Sequence, residues 1–465
     1  MPPDAHYRPD PAFAPLAGEL ADVVAPASFP RATLRHRNDR AAAEVGLATL
    51  TDDEWTAAFA RFVPLPANLP APLALRYHGH QFDAYNPDLG DGRGFLFAQL
   101  RDHGGRLLDL ATKGSGTTPW SRGGDGRLTL KGGVRELLAT EMLGALGVPT
   151  SRTFSLFETG ESLIRGDEPS PTRSSVLVRL GHSHVRFGTF QRLAHRREAD
   201  TMQRLFAYVT EHLVPAATPG ELLAAIVRRS ADLCASWMLA GFVHGVLNSD
   251  NMNVTGESFD YGPYRFLPRY DPAFTAAYFD HGGLYAYGRQ PVAVAKNLQR
   301  MGQALTTIAT APELSAALAT YEDELQRAVR ARFLARLGVA SRGEDADAQL
   351  LGATFDFLSD SSLGYEQLFF DWHGGAVSEA RALASPDREA YSGAGFLAFR
   401  RALEGADAVA PARIEHPYYR RPRPCTLLID ELEALWDAIA TRDDWTPLEA
   451  KVEAIREMGE ALGGS

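Results

Sequence analysis

A polar stretch near the middle of the chain, residues 244–262, constrains the fold most. It reads His-Gly-Val-Leu-Asn-Ser-Asp-Asn-Met-Asn-Val-Thr-Gly-Glu-Ser-Phe-Asp-Tyr-Gly and is dense in amide and carboxylate side chains. An apolar helical run, 233–242, precedes it, so the polar side chains are expected at the ends of elements, where catalytic residues concentrate. The candidates for chemistry are Asn248, Asp250, Asn251 and Asp260. A solvated loop whose Asn and Asp residues form turns is the alternative that composition alone leaves open.

This stretch can be laid over the catalytic loop of protein kinases, His-Arg-Asp with an Asn five residues after the Asp, followed by Asp-Phe-Gly. His244 takes the His position, Asn251 takes the metal-binding Asn position, and residues 260–262 replace Asp-Phe-Gly. The base position holds Val246, which cannot accept a proton, while a new carboxylate, Asp250, stands beside Asn251. The chain is therefore either an inactive kinase or an enzyme for a related transfer with its base moved.

A glycine-rich segment lies upstream, at 89–100. Gly90 and Gly92 permit positive φ and close backbone approach, and the alternating phenylalanines after them indicate a strand leaving the loop. A hairpin that covers a phosphate would be built in this way. An ordinary glycine turn is the alternative.

A second strand, predicted over 107–111, leads to Lys113. A lysine one hairpin beyond a glycine loop can reach nucleotide phosphates, whereas an exposed lysine at a strand end is the commoner case. The next segment has apolar residues at helical spacing from Val134 to Leu146. It carries Glu136 in its first part, where kinases place the Glu that orients the lysine.

The loop between them, 114–127, is too polar and glycine-rich for a core. Asp125, Arg127 and the backbone N–H groups around Gly126 could bind a phosphate or a ribose edge, and a solvated connection is the alternative.

Two arginines flank the end of a further predicted strand, 175–180. Arg179 and Arg186 could clamp polyphosphate oxygens, although paired arginines on a surface are often just solvated. His182 and His184 are predicted to be structural, because no third metal ligand is near in sequence.

Strand patterns dominate the first half of the chain and helical patterns the second. Helices are predicted over 201–212, 219–241, 293–307, 312–337, 345–358, 395–403 and 427–440. We therefore predict an α+β, two-lobed protein-kinase-like fold with the nucleotide in the cleft. Its predicted parts are an N-terminal extension (1–70, with 1–30 an extended arm), a strand-rich N-lobe (71–192), and a helical C-lobe with a C-terminal helical extension (193–465).

Composition limits the partners. The 465 residues carry a net charge of −11, which argues against nucleic acid as the main partner because no basic surplus exists. The two cysteines, Cys234 and Cys425, are too few for a disulfide framework, and Cys234 is expected in a helical core. No apolar run has the length of a membrane span and no signal sequence is recognised, so the expectation is a soluble, cytoplasmic protein without a membrane partner.

Several motifs together resemble the selenoprotein O / YdiU family of kinase-like protein adenylyltransferases. They are Tyr77-His-Gly-His-Gln-Phe82, Gly90-Asp-Gly-Arg-Gly94, Lys113 through Arg122 with Asp125-Gly-Arg127, Arg135-Glu136, Ser183 through Gly188, and His244 through Pro263. They occur in order over about 71–307 and are long enough to be specific. The resemblance implies a kinase fold that binds ATP in a reversed orientation and transfers AMP to Ser, Thr or Tyr hydroxyls of proteins, releasing pyrophosphate.

The resemblance also assigns roles. Asp250 becomes the proton acceptor, Asn251 and Asp260 hold Mg²⁺ or Mn²⁺, and Lys113 pairs with Glu136. The residues placed around the nucleotide are Gly90, Gly92, Arg93, Lys113, Asp125, Gly126, Glu136, Arg179, Arg186 and Asp260. UTP with Mn²⁺ is an alternative donor, and the protein substrates are not identified.

Some features depart from the family. Members carry a cysteine or selenocysteine near the C-terminus and another elsewhere, whereas here the chain ends in Ser465 and the segment 271–279 has no thiol, so thiol gating is not expected. The glycines at 132 and 133 make an unusually flexible helix start. The rival functions are phosphoryl transfer to a small molecule or protein, which Val246 argues against, and a catalytically silent nucleotide-binding scaffold.

Overall fold

A computed structural model describes residues 4–166 and 168–463. A curved antiparallel sheet occupies the first part of the chain and helices the second, which confirms the predicted two-lobed fold. Among the described residues no helix is both long and apolar enough to cross a bilayer.

The N-lobe is built on one antiparallel sheet. The strands of the chain are β1 (Ala21–Val23), β2 (Thr33–Arg37), β3 (Leu73–Leu75), β4 (Gly79–Gln81), β5 (Ala84–Asn86), β6 (Leu96–Arg101), β7 (Leu107–Lys113), β8 (Leu128–Thr129), β9 (Arg152–Leu163), β10 (Thr172–Gly181), β11 (Phe242–Val243) and β12 (Arg265–Phe266). The large sheet runs β1-β3-β6-β7-β10-β9-β2, with β8 paired to β10. Pairs β4–β5 and β11–β12 lie outside it.

Alternation along the strands decides which side chains reach the cleft. Phe95, Phe97 and Leu108 point into one core, under the helices that precede β3, and Leu107 and Leu177 point into the other. Side chains two apart share a face, so Lys113 lies on the same face of β7 as Leu107.

The helices of the chain are α1 (Ala17–Leu20), α2 (Asp39–Glu44), α3 (Asp52–Phe59), α4 (Leu130–Ala145), α5 (Phe187–Arg196), α6 (Ala199–His212), α7 (Pro219–Leu239), α8 (Gln290–Leu305), α9 (Ala311–Leu318), α10 (Tyr321–Leu337), α11 (Glu344–Asp360), α12 (Tyr365–Asp371), α13 (Glu379–Ala384), α14 (Gly393–Leu403), α15 (Pro411–Ile414), α16 (Ile429–Arg442) and α17 (Thr446–Leu462). The helix predicted over 312–337 is two helices, because the chain turns at residues 319–320 between α9 and α10. The helices that were not predicted are α1, α2, α3, α5, α12, α13, α15 and α17.

The two glycines at the start of α4 have a packing reason. A Cβ on Gly133 would stand 2.5 Å from Leu156 Cδ1 and 2.8 Å from Ser175 Oγ, so a larger residue here would displace side chains of β9 and β10. Thr129 caps the helix by accepting from the Gly132 N–H at 3.1 Å. The glycines at the start of α4 therefore let this end of the helix lie close to the sheet.

The N-terminal residues are less of an arm than predicted. Residues 14–20 are helical, β1 pairs with β3, and β2 pairs with β9. Part of the segment 1–70 is thus built into the N-lobe sheet, because its short strands complete both edges of it. The domain boundaries at 71 and 193 remain predictions.

The C-terminal helices, predicted as an extension of the C-lobe, make ion pairs with the N-lobe. Arg456 of α17 pairs with Glu141 of α4 at 3.0 Å, and Asp443 lies 2.7 Å from Arg173 of β10. This part of the chain therefore braces α4 and the N-lobe sheet.

Both cysteines are buried free thiols. Cys234 lies in α7, whose neighbours are α8, α9 and α10, so it is a core residue as predicted. Ser465, part of the argument against thiol gating, lies outside the described residues.

Candidate active site

The glycine-rich segment, the loop 114–127 and the polar stretch 244–262 meet around one cavity of about 550 Å³. Eleven of the predicted residues line it: Gly90, Gly92, Arg93, Lys113, Asp125, Gly126, Arg127, Arg179, Arg186, Asp250 and Asp260. Glu136 and Asn251 stand behind this surface. Residues far apart in sequence are thus brought to one cleft, as a nucleotide site requires.

A buried lysine–carboxylate pair forms the centre of the site. Lys113 Nζ lies 2.5 Å from Glu136 Oε2 and 2.7 Å from Asp260 Oδ1. Strand β7 delivers the lysine and α4 delivers the glutamate, and both side chains are buried. Lys113 is therefore held between two carboxylates with its charge at the cavity wall.

Asp260 sits among cations. Its carboxylate oxygens are 3.6 Å from Arg179 Nη1 and 3.6 Å from Arg186 Nη1, in addition to the contact with Lys113. Burial alone would raise the pKa of Asp260, but the three cations outweigh burial and lower it well below its usual range. Its φ of +67°, rare outside glycine, directs the carboxylate into the cluster. Asp260 is thus a permanent anion.

Arg186 is packed and hydrogen-bonded at the same time. Its guanidinium carbon lies 4.4 Å from the Tyr77 ring centroid and 4.8 Å from that of Phe259, geometry suited to cation–π contact. It donates to the Asp250 carbonyl at 3.0 Å and to Asp91 Oδ1 at 3.3 Å. This arginine is therefore fixed before any ligand arrives.

Arg179 is positioned by a buried histidine. Its Nε donates to His184 Nε2 at 3.1 Å, so that nitrogen carries no proton and Nδ1 faces Asp109 Oδ2 at 3.3 Å as the donor. Burial, opposed by Asp109 and aided by Arg179, lowers the pKa of His184. His184 is structural, as predicted, but it also orients a cavity residue.

Asp250 lies in a 3-10 turn, Ser249–Asn251, and is buried. Its Oδ1 has no hydrogen-bond partner among the described residues. Burial raises the pKa of this carboxyl to about 6, and Arg186 opposes that rise. A Cβ on Gly79 would come within 2.9 Å of Oδ1, so the backbone of β4 closes over it. Asp250 is thus a desolvated carboxylate that lines the cavity, and one of its oxygens is buried without a hydrogen-bond partner among the described residues.

Asn251 is less exposed to the cavity than expected. Its Nδ2 donates to the Val246 carbonyl at 2.9 Å, which leaves its amide oxygen available. Among the described residues no group of three or more His, Cys, Asp or Glu is arranged to hold a metal. The predicted donors of the metal ion, the Asp260 carboxylate and the Asn251 amide oxygen, therefore remain a prediction.

The glycine loop and the loop 114–127 form the outer wall. A Cβ on Gly90 would stand 2.4 Å from the Trp120 ring, so glycine is required for these loops to pack together. Trp120 Nε1 in turn donates to Asp22 Oδ2 at 2.9 Å. Asp125, predicted to meet the nucleotide, is bound to Arg165 at 2.8 Å at the cavity edge, and Arg93 is exposed.

Sequence reasoning missed several residues of the cavity. Asp91 was not singled out, although it anchors Arg186. Trp120 and Arg165 line the cavity and were not singled out either. Asp91 lies between two predicted ligands, Gly90 and Gly92, which is the one signal that could have found it. The other two are fixed by contacts made across the fold.

The fold and the site define a class: two-lobed, protein-kinase-like transferases that use a nucleoside triphosphate. The family model described as "Protein adenylyltransferase SelO" matches residues 5–456. The chain belongs to that family.

Curated relatives agree with this membership. A protein nucleotidyltransferase YdiU from Gloeobacter violaceus is 45% identical over 96% of this chain and 95% of its own length. One from Synechococcus elongatus is 44% identical over 97% and 95%. The crystal structure of a Toxoplasma gondii rhoptry antigen kinase domain aligns at 10% identity and a TM-score of 0.29, over 57% of this chain and 79% of that one.

Proposed function

We propose that the protein transfers AMP from ATP to a Ser, Thr or Tyr hydroxyl of a protein. The observation that carries this is Asp250: a buried carboxylate with an unpaired oxygen faces the cavity, while the kinase base position holds Val246. Asp250 can accept the proton of an attacking hydroxyl, which Val246 cannot, so the chain retains a base for transfer to a hydroxyl although the kinase base is missing.

The cations of the cavity support binding of the phosphates. Lys113, Arg179 and Arg186 meet around Asp260, and each already has a partner that fixes its position. Charge that develops on the phosphate oxygens during transfer would be stabilised by groups that need no rearrangement. We place the triphosphate against these three residues, in the reversed orientation that brings the α-phosphorus toward Asp250.

The reaction is a substitution at the α-phosphorus. The acceptor oxygen forms a bond to that phosphorus, and the bond from phosphorus to the oxygen bridging the α- and β-phosphates breaks. Pyrophosphate leaves with the electrons of that bond. The proton of the hydroxyl passes to the carboxylate of Asp250, whose raised pKa makes it a stronger base than an exposed aspartate.

A divalent ion fits the donors present. Asp260 and the amide oxygen of Asn251 are hard oxygen ligands of the kind Mg²⁺ prefers, and they leave positions free for phosphate oxygens and water. When bound, the ion would neutralise phosphate charge. Mn²⁺ is the alternative, and UTP with Mn²⁺ is an alternative donor.

Labelled nucleotides test this function against its rivals. The purified protein is incubated with a protein acceptor and either α- or γ-labelled ATP. We expect label on protein from the α-position only. Label from the γ-position would establish phosphorylation instead, and label from neither, with ATP bound, would establish the silent scaffold.

The pH dependence provides an independent prediction. The pKa of Asp250 is raised to about 6, so its carboxylate forms only as the pH rises through that value. A base acts in its deprotonated form, so the rate of transfer is expected to rise about tenfold per pH unit below 6 and to level off above it. Initial rates from pH 5 to 8 at saturating ATP measure this.

Glu257 supplies the control for that profile. Burial raises its pKa to about 7, but its carboxylate accepts from the His182 backbone N–H at 2.6 Å and does not line the cavity. Glu257→Gln is expected to keep the inflection near 6. A profile whose inflection disappears in this variant would remove Asp250 as its cause.

A further inference from the structure

An exposed aromatic patch lies at the rim of the catalytic cavity. The exposed large hydrophobic side chains of the described residues include three aromatic ones: Phe82, Tyr278 and Phe279, with exposed fractions of 39%, 78% and 42%. The Phe82 and Phe279 ring centroids are 5.7 Å apart, and those of Phe279 and Tyr278 are 5.1 Å apart. Aromatic residues clustered on a surface are typical of interaction sites.

The patch is continuous with the cavity on one side and with a groove on the other. Gln81 lines the cavity together with Asp250, and Phe82 follows it on the same hairpin. Tyr278, at the far end, lines a groove of about 700 Å³ formed by residues between 272 and 289. Cavity, patch and groove therefore form one track that starts beside Asp250.

The hairpin that presents Phe82 is strained and firmly held. Phe82 and Asp83 both have positive φ, +47° and +65°, which side chains other than glycine rarely adopt. Asp83 is anchored to α8 by Arg300 at 2.5 Å and by Lys296 at 3.0 Å. Positive φ at both central residues is what a two-residue turn between β4 and β5 requires, and these anchors hold that turn, with the Phe82 ring, in place.

The same hairpin is tied to the catalytic turn. The Phe82 N–H donates to Asn248 Oδ1 at 3.2 Å, and that oxygen also accepts from Tyr285 OH at 2.8 Å. The Phe82 and Tyr285 rings are 5.1 Å apart. Asn248 stands two residues before Asp250, so the patch has a fixed position relative to the proton acceptor.

We propose that this patch docks the polypeptide that carries the acceptor hydroxyl, as an extended segment with an apolar side chain near the modified residue. The inference rests on the proposed function: a hydroxyl that reaches Asp250 from solvent brings its flanking chain across the cavity rim. The two ring-to-ring steps span at most about 11 Å, which an extended chain covers in about three residues. The bound segment therefore crosses the patch in about three residues, and we place its apolar side chain there, a few residues from the acceptor.

Two synthetic peptides and one double variant test this. Each peptide has 13 residues of Gly and Lys with one central Ser, and the second carries Leu three positions before and after it. With α-labelled ATP, the wild-type protein is expected to show a KM about tenfold lower for the leucine peptide. Tyr278→Ala with Phe279→Ala is expected to remove this difference and to leave the dissociation constant of ATP unchanged.

Val377→Ala with Leu397→Ala is the matched control, because it removes two exposed apolar side chains far along the chain. It is expected to keep the tenfold preference.

Equal KM values for the two peptides, or a preference that survives the Tyr278 and Phe279 changes, would overturn the docking site alone. No α-label on either peptide or on casein would overturn the proposed function and the docking site with it. If sedimentation instead shows a wild-type dimer that the double variant dissociates, the patch is a self-association surface.

Discussion

Replacing Asp260 with asparagine is expected to lower the rate of AMP transfer about a thousandfold or more while ATP binding persists. The substitution removes the negative charge of the side chain. It therefore removes a predicted ligand of the metal ion and the carboxylate that lies 2.7 Å from Lys113 Nζ. Lys113, Arg179 and Arg186 then face only two carboxylates, those of Glu136 and Asp91. The net charge of this group of residues becomes more positive, which favours binding of phosphate. Transfer of α-label and calorimetric ATP binding, both with Mg²⁺, measure the two effects separately.

Two further variants make that result interpretable. Asp260→Ala removes the same charge and leaves a small cavity as well. Removal of one partner of a buried ion pair costs about 3–5 kcal/mol of folding free energy, so the melting temperatures of Asp260→Ala and Asp260→Asn are compared. Asp88→Asn removes an exposed carboxylate on the segment before the glycine loop and is expected to keep full activity. Full activity in folded Asp260→Asn with Mg²⁺ present would show that the metal site is wrongly assigned.

Asp250→Asn is expected to lower kcat by about 10²–10⁴-fold with little change in ATP affinity, the range general base catalysis contributes. The amide has the size of the carboxyl group but cannot accept the hydroxyl proton. Residual transfer in this variant is expected to lose the inflection near pH 6, because the group responsible for it has been removed. Rate against pH, from the α-label assay, gives both numbers.

The exposed Asp200 on α6 supplies the control, Asp200→Asn, which should behave as wild type. The opposite outcome is also informative. If Asp250→Asn bound ATP normally and transferred α-label at the wild-type rate, another group would have to accept the proton, and the free Oδ1 would have no catalytic meaning.

The sequence predicted the fold through its order of elements. The alternation of Phe95 and Phe97, the strand leading to Lys113 and the helical spacing after Val134 are local patterns, and the structure contains each of these elements. Element ends were harder to predict. The break between α9 and α10 has no Gly or Pro, and α17 differs little in composition from the helix before it.

For the site, the sequence supplied the groups and the structure supplied their partners. His184 illustrates the difference: its neighbours in sequence say nothing about Arg179 or Asp109, which reach it from β10 and β7. Asp91 is similar, because its role follows from the position of Arg186. Contacts between distant segments depend on the register of the sheet, which no local pattern encodes.

By itself, the sequence determined which chemical groups the chain carries and in which order. It also determined that a valine occupies the kinase base position while a carboxylate, Asp250, stands beside Asn251. The tertiary structure decided the state of those groups. Burial under Gly79 raises the pKa of Asp250, and three cations from β7, β10 and the start of α5 keep Asp260 ionised. The physical reason is that solvation and Coulomb energies depend on distances through space, and folding alone sets those distances.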